Sequence, residues 1–104
     1  MRKITSLKAP AESICRLMIH DTEAGTYLYL YSAPADGPCE ADEWYESVAD
    51  AEAEASRRFA VGPDDWQAID DPLPGGQHDW IQPTRVMVDS HGNKLWGQFE
   101  PWAT

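Results

Sequence analysis

Two runs near the start of the chain alternate apolar and polar positions with the period of a β-strand, and a third run, further on, repeats at helical spacing. In Ser13–His20, Cys15, Leu17 and Ile19 fall on one side and Ile14, Arg16, Met18 and His20 on the other. Asp21–Gly25 then reads as a turn, after which Thr26–Ala33 sets Tyr27, Tyr29 and Tyr31 against Leu28 and Leu30. Aromatic residues suit a pleated surface, so the two runs predict a hairpin. From Val48 the period changes: Val48, Ala51, Ala55 and Phe59 recur every three or four residues. Ser47 is a suitable N-cap, with Asp50 placed to assist the first turn. Ala49, Ala53 and Ala60 add helix propensity, and Gly62-Pro63 is a stop signal. These features predict a helix over about 47–60, roughly 20 Å long.

The remaining pattern is weaker. Glu43–Glu46 reads as a short strand leading into the helix, and Trp66–Ile69 as a brief one. Thr84–Val88 and Leu95–Phe99 flank the turn Ser90–Asn93 and predict a second hairpin. Before this hairpin, residues 70–83 hold three prolines and two glycines and read as a long structured loop. Residues 1–11 show little periodicity, carry three bases and include Pro10, so a flexible N-terminal tail is expected there. The expected fold is a single α+β domain over 12–104. It has a small antiparallel sheet of about four to five strands with two hairpins, and one helix packed on one face.

A chain of 104 residues with 42% hydrophobic and 25% charged residues has the composition of a globular protein that can bury one modest core. No apolar run approaches the roughly 20 residues needed to span a membrane. The start Met1-Arg2-Lys3 is not followed by the apolar stretch of a signal peptide. Cys15 and Cys39 lack Cys-x-x-Cys spacing and are expected to be reduced thiols, the first a small hydrophobe in a strand and the second exposed in a loop. A cytoplasmic location follows as the expectation.

Charge changes the picture more than composition does. Twelve acids but only two bases, Arg57 and Arg58, lie between Asp36 and Asp71, so this segment holds the whole net charge of −10. That balance repels phosphate and argues against direct nucleic-acid binding. Aromatic residues interleave with the acids, and a charged patch beside aromatic anchors suits a basic partner. The residues expected to carry such docking are Glu43, Trp44, Glu46, Asp50, Glu54, Asp64, Asp65 and Trp66. Asp50 and Glu54 lie four apart and share a helix face away from the alanine stripe. The strategy resembles that of small acidic inhibitors and immunity proteins in size, charge and layout, without a shared motif.

Catalytic signatures are absent from the sequence: it contains no phosphate-binding glycine loop, nucleophile elbow or zinc-cysteine framework. No cofactor is expected. An alternative site is the 70–83 loop, where Asp70 and Asp71 could meet His78 and Asp79 across a bend to hold a metal or do acid–base work. A third expectation concerns assembly, as monomer or homodimer: the face formed by Tyr27, Tyr29 and Tyr31 could pair with its own copy.

Overall fold

The computed structural model describes residues 1–102. Among these residues the chain forms an α+β unit of seven strands and one helix. In order these are β1 (Arg2–Ala11), β2 (Ile14–Thr22), β3 (Gly25–Tyr31), β4 (Ala41–Tyr45), α1 (Val48–Phe59), β5 (Gln67–Ile69), β6 (Thr84–Val88) and β7 (Lys94–Pro101). Five strands form an antiparallel sheet in the order β4-β3-β2-β1-β5, and β6 and β7 form a separate two-stranded sheet.

The centre of the main sheet explains the layering. In β2 every residue from Arg16 to His20 is buried, so both faces of the strand must be covered. On one face, Leu17 and Ile19 of β2 join Leu28 and Leu30 of β3. Ala51, Ala55 and Phe59 of α1 close over them, and the small alanines allow the helix to approach closely. Fully burying one such leucine or isoleucine contributes about 1.5–3 kcal/mol. Ser47 caps the helix through its hydroxyl, which accepts from the Asp50 amide at 3.2 Å. Gly62 does not end the helix as expected. Ala60 does so, in the left-handed region at φ 56°, its amide donating to the Ser56 carbonyl at 3.1 Å and the Val61 amide to that of Ala55 at 3.5 Å.

On the other face, Met18, Tyr29 and Tyr31 are buried beneath residues 70–83, with Ile81 and Cys39 packed against them. The expected exposed tyrosine face is therefore corrected. Tyr27 and Tyr29 stack with ring centroids 6.1 Å apart, but the loop lies over Tyr29 and Tyr31. The Tyr31 hydroxyl donates to the Asp79 carbonyl.

Residues 1–11 are also corrected: they form β1, paired with β2 on one side and with β5 on the other. Arg2 reaches through to the loop. Its guanidinium donates to the carbonyls of Asp70 (2.7 Å), His78 (3.0 Å), Trp80 (2.6 Å) and Ile81 (3.4 Å). Asp36 holds the same segment from the opposite side, its carboxylate accepting from the amides of Ile81 (2.8 Å) and Gln82 (2.9 Å).

Among the described residues, the backbone of the β6–β7 hairpin lies close to no other strand and not to the helix. It is joined to the loop through the Gln77 amide on the Thr84 carbonyl at 2.8 Å and through Trp80 packed on Phe99. Trp96 on this hairpin is 74% exposed. No helix among the described residues is long and apolar enough to cross a membrane.

Candidate functional site

The β4 edge and the start of α1 bring most of the acidic segment together, on two different faces. Side chains alternate along β4, and its register with β3 sets Glu43 opposite Leu28 and Trp44 opposite Tyr27. Leu28 belongs to the core under the helix, so Glu43 and Tyr45 face α1. Asp42 and Trp44 face the other way.

Four of the eight expected docking residues are committed to the fold. Glu43 accepts from Arg58 at 2.7 Å through both oxygens and from the Tyr45 hydroxyl at 2.7 Å. Its partial burial works to raise its pKa, but these hydrogen bonds outweigh that and hold the carboxyl below its ordinary value. The Tyr45 phenol is pushed up to about 12, first by burial and then by the Glu43 carboxylate. Glu54 pairs with Arg57 and lies 4.0 Å from Arg58. Glu12 completes the ring around Arg58 at 3.4 Å. The Arg58 pKa is raised mainly by its hydrogen bonds to Glu43 and Glu12. Asp65 turns back to accept from the Gly62 amide at 2.7 Å. Trp66 packs against the core, with the Lys3 ammonium 5.4 Å from the ring centroid.

The other four, Trp44, Glu46, Asp50 and Asp64, are exposed. Among the described residues Glu46, Asp50 and Asp64 make no ion pair. Trp44 is 52% exposed and lies across Gly25, with its indole N–H donating to the Ala24 carbonyl at 2.9 Å. At φ 124° and with no room for a Cβ, Gly25 is the residue that lets the indole lie there. Two acids outside the expected set, Glu40 and Asp42, precede it in the chain, exposed and equally without an ion pair among the described residues. The alternation Asp42-x-Trp44 carried that signal in the sequence. The exposed pair on the face of β4 turned away from α1 is thus Trp44 with Asp42, while Glu40 and Glu46 flank the strand in sequence and Asp50 lies on the helix side. An exposed indole held by its N–H, on an edge strand that carries unneutralised carboxylates, can bind a cationic or amphipathic segment. It supplies no nucleophile and no general base paired with one.

The alternative site does not assemble. Asp70 and Asp71 line a cleft of about 350 Å³ beside Arg2. His78 and Asp79 line a separate, more open one of about 360 Å³ with Tyr29, Cys39 and Asp42. Asp71 is taken by the N-terminal ammonium at 2.9 Å, which holds its carboxyl below the ordinary range. Asp79 accepts from the Cys39 amide at 2.8 Å. Among the described residues no three His, Cys, Asp or Glu side chains converge as metal ligands. Cys39 is half-buried rather than exposed, and burial, then Asp79, push its thiol up to about 12.

No known protein family, curated protein or solved structure matches the chain.

Proposed function

We propose that this protein is a non-enzymatic binding module, inhibitory or regulatory, that docks a basic protein segment on the flank formed by β4 and the start of α1. The observation that carries the reading is Trp44, held half-exposed on the edge strand β4, which also bears Asp42 and is flanked in sequence by Glu40 and Glu46, none of these acids being neutralised by a cation of the described chain. The surplus field would steer a basic partner to this side, and the indole would supply the apolar anchor that charge alone lacks. Glu43, Glu54 and Asp65 serve the fold and so drop out of the contact set. Two free cysteines suit a reducing compartment, and the cytosol is the location this reading assigns.

The test uses a defined probe, a lysine-rich peptide with alternating apolar residues, titrated while tryptophan fluorescence is followed. Asp42→Lys/Glu46→Lys should weaken binding by about tenfold or more and flatten its salt dependence. The charge-matched control Asp64→Lys/Asp70→Lys should cost about threefold or less, because those acids lie elsewhere. Equal losses in the two double variants would mean that the peptide senses net charge only, and the docking flank would be abandoned.

A further inference from the structure

Beneath the 70–83 loop, away from the acidic flank, lies a cluster of basic groups. His20 of β2 is 5% exposed, and its Nδ1 has no hydrogen-bond partner among the described residues. The His78 ring, from the loop, meets it edge-on with centroids 5.0 Å apart. Arg2 is its neighbour across β1 and is 2% exposed. From β3, Tyr27 is its cross-strand neighbour, and the Tyr29 ring lies 6.5 Å away. The N-terminal ammonium and Asp71 also face it, paired with one another. Arg2 is the residue that holds the loop, through four carbonyls.

We propose that this cluster is an acid-operated latch: a proton on His20 releases residues 70–83 and the attached β6–β7 hairpin from the sheet, while the core under α1 stays folded. A charged imidazole in this place adds a second buried cation beside the Arg2 guanidinium. Asp71, the carboxylate that faces it, is already engaged by the ammonium. Burial, then His78, the ammonium and Arg2, hold His20 at about 4 when the loop is closed. With the loop open, the hydrated ring returns to its ordinary value of about 6.5. The open form therefore binds the extra proton between these values, and falling pH favours opening throughout that window. The core under α1 is built from Leu17, Ile19, Leu28, Leu30, Ala51 and Ala55, none of which titrates. Among the described residues the hairpin backbone lies close to no other strand or helix, so it leaves with the loop. Opening would bare Met18, Tyr29 and Tyr31.

Amide hydrogen exchange on the full chain, corrected for the intrinsic effect of pH, reads this directly. Between pH 7 and 4.5 the linkage gives a loss of protection at Ile81 and Gln82 of roughly 50–100-fold. Leu28 should keep its protection, and the helical circular dichroism should stay constant. His20→Gln keeps a polar group but takes no proton, and its loop should lose less than about fivefold. That variant also separates the latch from any other effect of acid on the loop, because it leaves the Asp36 contacts to Ile81 and Gln82 in place. If the variant loop opens as the natural one does, or if helix and loop melt together, the latch is wrong. Should His20→Gln fail to fold, His78→Gln replaces it. Removing that neighbour eases His20 protonation in the closed form, so release must move to lower pH, and an unmoved release overturns the proposal.

Discussion

Arg2 collects carbonyls from four residues of one loop, a task suited to a guanidinium because its five N–H donors are fixed in one plane. Lysine offers a compact charge that cannot span them. Arg2→Lys should therefore lose about 2–4 kcal/mol in urea unfolding, most of it from carbonyls left buried without a donor. A loss under about 1 kcal/mol would show that the loop is held by other means. Ala60 stands in the left-handed conformation that glycine adopts without a Cβ penalty. Ala60→Gly should raise stability by about 0.5–1 kcal/mol, measured by the same method. Cys39 carries the opposite expectation for reactivity. Its thiol is pushed up to about 12, first by burial and then by Asp79. Thiolate is the reactive form, so alkylation of folded protein at pH 8 should be at least about tenfold slower than in urea. An equally fast reaction would place the thiol in an open site.

The elements differ in how firmly they are held. β2 and β3 are covered on both faces, whereas the β6–β7 hairpin is joined to the rest through the loop alone. An isolated two-stranded hairpin is marginal in water. Amides of Val86 and Phe99 should exchange at least about 100-fold faster than those of Leu17 and Leu28, and similar rates would mean the hairpin is docked. The helix, the β2–β3 hairpin and the C-terminal hairpin were legible in the sequence because each combines a clear period with a cap or turn signal. β1 was not. Its turn uses Glu12 and Ser13 at φ 53° and 65°, positions where Asn or Gly is the usual sign. Pro10 also falls within the irregular stretch where its pairing with β2 shifts register. Alternation in β3 showed two faces but could not say that residues 76–82 would lie over the tyrosines. The acidic segment was legible as charge only. Arg58, by binding Glu12, Glu43 and Glu54, decides which acids remain free, and that choice depends on the helix crossing the β4 side of the sheet.

At the scale of the whole molecule, a net charge of −10 works against compactness through self-repulsion. Internal pairs such as Lys3–Glu52 and Arg85–Glu100 offset it locally. Salt screens the long-range repulsion more than these close pairs. The melting temperature should therefore rise by several degrees between about 10 mM and 0.3 M sodium chloride. A fall would mean that the ion pairs dominate. The Arg2 clamp has a further consequence, for the order of assembly. β2 and β3 meet through a short turn and can pair as soon as both exist. The clamp joins residue 2 to residues 78, 80 and 81, so its closure waits for most of the chain and carries the entropy of a long loop. During synthesis the first strand must stay available, its buried arginine still in water, until the segment that satisfies it has been made.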